Sequence, residues 1–85
     1  MAYSIEISKH ALNFLEKIPK SYYIVIRTAI SNLADNPRPF GYKKLQGYDN
    51  FYRIRVGMYR IIYSIYDGQL HISIIDIGHR KNIYK

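Results

Sequence analysis

Apolar positions change their period twice along this chain. Residues 3–7, Tyr-Ser-Ile-Glu-Ile, alternate with period two and predict a strand. Ser8 suits the N-cap of a helix that carries Ala11, Leu12, Leu15 and Ile18 on one face. Pro19 ends that helix or starts the next. A second helix is predicted from about Lys20 to Asp35, with Tyr22, Ile26, Ala29, Ile30 and Leu33 as its apolar stripe. Asn36-Pro37-Arg38-Pro39 stops it. From there the period is two, and strands are predicted over Tyr42–Leu45, Phe51–Val56, Tyr59–Tyr66 and Gln69–Gly78. Gly57-Met58 and Asp67-Gly68 read as two-residue hairpin turns. The expected fold is a single α+β domain over residues 1–85, in the order β-α-α-β-β-β(-β). Its N-terminal strand and two helices pack on an antiparallel sheet.

Those turns predict a register. In the first hairpin Val56 faces Tyr59, Arg55 faces Arg60, Ile54 faces Ile61 and Arg53 faces Ile62. In the second, Tyr66 faces Gln69, Ser64 faces His71, Ile62 faces Ser73 and Arg60 faces Ile75. Side chains alternate across a sheet. Tyr52, Ile54, Val56, Tyr59, Ile61, Tyr63, Ile65, Leu70, Ile72 and Ile74 then form a core face toward the helices. The opposite face carries Arg53, Arg55, Arg60, Ser64, His71 and Ser73, with Ile62 and Ile75 between them. Asp76 has the other parity, so no acidic residue is expected among the arginines. Like charges opposite one another cost ~0.2–1 kcal/mol. The planar fork of arginine matches phosphate oxygens, and the triple cluster reads as an anion site on rigid strands.

Composition narrows the partner. The chain has 85 residues and no cysteine, which excludes a disulfide scaffold, a Cys-ligated zinc site and a thiol nucleophile. A reducing cytoplasm is therefore expected. No apolar run approaches a membrane span, and the first residues lack the apolar core of an export signal. No membrane partner is expected. Formal net charge is +7. Residues 36–85 hold nine basic and three acidic residues, whereas residues 1–35 hold four and three. A basic half implies a polyanionic partner: nucleic acid, an acidic protein segment, or both. The segment Gly78-His79-Arg80-Lys81-Asn82-Ile83-Tyr84-Lys85 adds a titratable histidine, further cations and an aromatic ring beside the arginine face. Lys43 and Lys44 read as contacts to phosphates or ribosomal RNA, narrowly ahead of solvated strand residues, and His10 reads as surface. Tyr84, Tyr48 and Tyr66 are the tyrosines left free to stack on a base.

Three segments together resemble the RelE/ParE superfamily of small toxins from prokaryotic toxin–antitoxin pairs. They are Lys44-Leu45-Gln46-Gly47, then Tyr52-Arg53-Ile54-Arg55-Val56-Gly57-Met58-Tyr59-Arg60-Ile61-Ile62-Tyr63, then Ile77-Gly78-His79-Arg80-Lys81-Asn82-Ile83-Tyr84. The resemblance spans nearly the whole chain. It implies a fold like that of small microbial ribonucleases. It implies a metal-independent endoribonuclease, an mRNA interferase that in the RelE branch enters the ribosomal A site and cuts mRNA there. The ribose 2′-hydroxyl attacks the adjacent phosphate, leaving a 2′,3′-cyclic phosphate and a 5′-hydroxyl. No cofactor is implied. The implied partners are mRNA, the ribosome with its rRNA, and a cognate acidic antitoxin that wraps the toxin.

Carried onto this sequence, the resemblance makes Arg60, Arg80, His79 and Tyr84 the catalytic candidates. Arg60 would hold the scissile phosphate, Arg80 would stabilise the transition state, Tyr84 would stack on a base and His79 would transfer a proton. Arg53, Arg55, Lys43, Lys44 and Lys81 would bind RNA or phosphate. Positions 53 and 55 are often lysine in RelE, and arginine does not release its proton. The general base is thus open between His79, His71, which otherwise reads as a partner of Ser64, and a purely electrostatic mechanism. Some relatives continue into a C-terminal helix that this sequence is expected to lack. Two other readings share the fold: a ParE-like inhibitor of DNA gyrase, and a catalytically inactive antitoxin-binding module.

Overall fold

The computed structural model describes residues 2–79. Strand β1 (Ser4–Ile7) leads into helix α1 (Lys9–Lys17) and helix α2 (Lys20–Leu33). A two-residue strand β2 (Lys43–Lys44) and then β3 (Tyr52–Val56), β4 (Tyr59–Tyr66) and β5 (His71–His79) follow. The sheet has five strands in the order β1-β5-β4-β3-β2. Strands β2 to β5 form the antiparallel meander expected from the pattern. Strand β1 joins the far edge parallel to β5, pairing Ser4 with His71 and Ile7 with Ile74. A parallel partner needs a crossover, and here the helices and the meander supply it.

Ser8 joins three elements. Its Oγ accepts from the Ala11 N–H at 3.1 Å, which caps α1, and donates to the Ile75 carbonyl at 2.8 Å. Its own N–H donates to the Ile74 carbonyl at 2.9 Å. Both helices lie on one side of the sheet. Ala11, Leu15, Ile26, Ile30 and Leu33 pack there on Ile54, Tyr59, Ile61, Tyr63, Ile65, Ile72, Ile74 and Ile77. Leu12, placed on the core stripe by its spacing, is exposed. Tyr22 is also exposed, with its ring edge-on to Tyr59 at 5.5 Å. Tyr63 is fully buried, and its hydroxyl donates to the Pro37 carbonyl at 2.7 Å. Burial pushes that phenol well above the usual tyrosine range.

The first hairpin has the predicted register from Arg53↔Ile62 to Val56↔Tyr59, with Gly57 at φ +61° opening the turn. The second does not. Asp67–Gln69 form a 3-10 turn that ends on Leu70 in the left-handed region, φ 50°, so the loop is longer than two residues. Tyr66 therefore pairs with His71, Ser64 with Ser73 and Tyr63 with Ile74. Leu70 leaves the expected core face and is exposed. A bulge at Ile75 then resets the parity, so that Ile62 pairs with Asp76, Ile61 with Ile77, Arg60 with Gly78 and Tyr59 with His79. This corrects the expectation that no acidic residue has the parity of the arginines. Asp76 does, and its carboxylate lies 3.0 Å from Nε2 of His10, a surface residue as read from the sequence. Among the described residues, no helix is long and apolar enough to cross a membrane.

Candidate nucleic-acid interface

Four of the six cations in residues 36–79 share the sheet side opposite the helices. Arg55 lies directly across from Arg60, and Arg53 sits two residues back along β3. Lys43 pairs with Arg53 and so extends the row onto β2, while Lys44 pairs with Tyr52 and takes the other parity. Adjacent strands lie about 4.8 Å apart, and same-side residues along a strand are roughly 6.6 Å apart. Four cationic residues therefore share a patch about the size of a dinucleotide, all on paired strands and so preorganised.

The surroundings differ from the solvated face that alternation alone suggests. Arg53 is 8% exposed, Ile62 6% and Ser64 fully buried. The carboxylates in ion pairs among the described residues are Asp76, Asp67 and Glu6, and their partners are His10, Arg38 and His71. The Arg53 side chain is thus largely covered, and among the described residues no carboxylate forms an ion pair with it. Arg53 also lines a groove of about 470 Å³ between α2 and the outer edge of β3, together with Ala29, Leu33, Phe40, Ile54 and Arg55. Because β2 pairs only with Tyr52 and Arg53, the Ile54–Val56 edge lies beyond its reach. Phe40, at the rim, is fully exposed.

The histidines are not gathered around the arginines. His79 pairs with Tyr59 and takes that residue's parity, the side facing the helices. Its ring meets Tyr59 edge-on at 5.9 Å, and its Nε2 lies 3.2 Å from the Met58 sulfur. His71 is not a partner of Ser64. Its Nδ1 lies 2.8 Å from the Ser4 hydroxyl and its Nε2 3.3 Å from Glu6, which ties β1 to β5. It pairs with Tyr66, six residues along β4 from Arg60, a distance of roughly 20 Å. Arg80, Lys81 and Tyr84 lie outside the described residues. Among the described residues, no group of three or more His, Asp or Glu could hold a metal ion. The sequence reading missed the groove and the stacking of Tyr48 on Phe51, 5.2 Å between ring centroids. Two aromatics flanking Asp49-Asn50 after Gly47 were the available signal for the latter.

At the far end of β4, charge is fully paired. Arg38 donates to both carboxylate oxygens of Asp67, at 3.3 and 2.8 Å, and the Tyr3 hydroxyl donates to the same group at 2.7 Å. The Arg38 guanidinium, then the Tyr3 hydroxyl, hold the Asp67 carboxyl below the ordinary carboxylate range. The same hydrogen bond to Asp67 raises the Tyr3 phenol.

Comparison with known proteins agrees with this architecture. Residues 5–84 match the family model described as the ParE toxin of the type II toxin-antitoxin system, parDE. Toxin RelE3 of Methanocaldococcus jannaschii is 37% identical over 67 residues, covering 79% of this chain and 74% of that protein. Toxin RelE of Mycobacterium tuberculosis is 26% identical over 84 residues, covering 98% of this chain and 87% of that one. The crystal structure of the archaeal RelE-RelB complex from Pyrococcus horikoshii OT3 holds a chain that superposes with a TM-score of 0.84 at 31% identity, covering 96% of this chain and 99% of that one. On sequence and on fold, the chain belongs to the RelE/ParE family of toxins of type II toxin–antitoxin systems.

Proposed function

We propose that this toxin is a metal-independent endoribonuclease that cuts mRNA in the ribosomal A site, and that an acidic antitoxin holds it inactive. The observation that carries the reading is Arg53, a largely covered arginine with no carboxylate ion-pair partner among the described residues, beside Lys43, Arg55 and Arg60. A phosphodiester would supply the missing counter-charge, and bidentate arginine contacts suit it. In the reaction the ribose 2′-oxygen bonds to phosphorus and the bond from phosphorus to the 5′-oxygen breaks. The 2′-hydroxyl proton goes to a base or to water, and the leaving 5′-oxygen takes one up. The products are a 2′,3′-cyclic phosphate and a 5′-hydroxyl. Arg60 and Arg53 would neutralise the charge that builds on the nonbridging oxygens, an effect of the oxyanion-hole type. Arg55 and Lys43 would hold the flanking phosphate, with Arg80 and Tyr84 completing the site. No arginine serves as base. His79, whose ring lies against Tyr59, would reach the substrate only by turning away from it.

The groove beside β3 suits the antitoxin. Its lining mixes apolar side chains, among them Ala29, Leu33, Phe40 and Ile54, with the cations Lys43, Arg53 and Arg55. An acidic segment studded with apolar residues would fill it and occupy the same cations as the RNA. The Pyrococcus horikoshii chain on which this toxin superposes was solved in a RelE-RelB complex, which supports such a partner.

Primer extension on an mRNA translated in vitro tests the nuclease reading, with Arg60→Ala as control. New 5′ ends at A-site codons are expected with the wild type and not with the variant. Growth arrest without any cut would overturn the reading and favour gyrase inhibition, measured by DNA supercoiling.

A further inference from the structure

The loop between β2 and β3 adjoins the arginine row, and the clamp described above leaves it unused. We propose that Tyr48 and Phe51 form a stacking platform for one nucleobase of the bound RNA strand, flanking the phosphate clamp. The proposal rests on the nuclease reading and names a subsite of it. The two rings are nearly parallel, 12° apart with centroids 5.2 Å apart. Tyr48 is 58% exposed, so one ring face rests on Phe51 while much of the ring is open to solvent.

Phe51 is fixed in place. Its carbonyl accepts from the Leu45 N–H at 2.8 Å, which carries the β2–β3 ladder one step past the strands. By alternation it shares the side of Arg53 and Arg55, and the row runs Phe51, Arg53, Arg55 at roughly 6.6 Å per step. A base on the platform would therefore have its phosphate within reach of the cations. Beside Tyr48 lies an open hollow of about 510 Å³ whose lining includes Lys44, Gln46 and Asp49. It offers a donor, an amide and an acceptor to the edge of a base. An exposed ring held flat on a second ring has already lost the rotamer freedom that stacking costs, the arrangement that makes aromatic platforms effective on single strands.

The test uses an mRNA methylated at its 2′-hydroxyls, so that it cannot be cut, with 2-aminopurine placed in turn at successive positions. It is presented both free and on programmed ribosomes. Stacking quenches 2-aminopurine, and quenching is expected at one position with the wild type and with Tyr48→Phe. Tyr48→Leu keeps an apolar cover over Phe51 but removes the π face. It is expected to lose the quenching and to bind about 5- to 150-fold more weakly. Quenching at no position with the wild type overturns the platform, as does equal binding and quenching by Tyr48→Leu. In both cases RNA binding that still depends on Arg60 leaves the nuclease reading standing. If the wild type binds RNA in neither presentation, both readings fall together.

Discussion

The two ends of strand β4 treat charge in opposite ways. At the Tyr66 end, Arg38, Asp67 and Tyr3 satisfy one another, and His71 bridges Ser4 and Glu6. At the Tyr59 end, Arg55 faces Arg60 across the ladder, and Arg53 is largely covered with no ion-paired carboxylate among the described residues. The first end closes the fold: it ties the 3-10 turn to the loop after α2 and to β1. The second sets like charges on facing strands, which costs stability. Sites that break a local rule within an otherwise consistent structure are where function is expected. This contrast is the reason for placing the proposed working surface at the Tyr59 end.

The comparison breaks most sharply at Arg53. Arg53→Met is expected to lower RNA cleavage by about 10²- to 10³-fold while leaving the melting temperature unchanged or higher. A clear loss of stability would show that Arg53 belongs to the fold rather than to the site. Next in size is Ser8→Ala, which removes the cap of α1 and the hydroxyl that holds the Ile75 bulge. It should cost about 0.5–2 kcal/mol in urea unfolding, with cleavage by the folded protein retained. Tyr63→Phe leaves the Pro37 carbonyl without its donor and should cost roughly 0.5–1.5 kcal/mol by the same assay. The smallest effect is a pH dependence at the paired end. Asp67 has a folded pKa below its unfolded value, so its ion pair adds stability above the unfolded pKa and loses it as pH falls through the folded one. Melting curves of the wild type and Asp67→Asn should differ at neutral pH and converge in strong acid. A gap independent of pH would mean that the carboxylate charge contributes nothing there.

The two hairpins show how far a pattern can be read. The first was legible because Gly57 supplies the positive φ its turn requires, and a two-residue loop leaves one register. The second carries an equally good local signal in Asp67-Gly68. Its loop nevertheless runs on to Leu70, and its strand is bulged at Ile75. The causes are distant in sequence. Ser4 N–H donates to the Leu70 carbonyl, Tyr3 bonds Asp67, and Ser8 holds both Ile74 and Ile75. Parallel pairing with β1 sets where β5 begins, and no window around residue 67 contains that information. The same shift decided the site. It placed Asp76 across from Ile62, moved His71 to the β1 edge and put His79 on the parity of Tyr59, so that the histidines do not converge on the arginines.

The sequence by itself determined the elements, the α+β class, the facing of Arg55 and Arg60 and the basic half of the chain. Each follows from periodicity, turn chemistry or composition, all of them local. Only the tertiary structure decided that β1 pairs in parallel, that Arg53 is largely covered, that Lys43 joins the row and that Tyr48 lies on Phe51. These depend on which strands meet and in what register, and burial is a property of neighbours far apart in the chain.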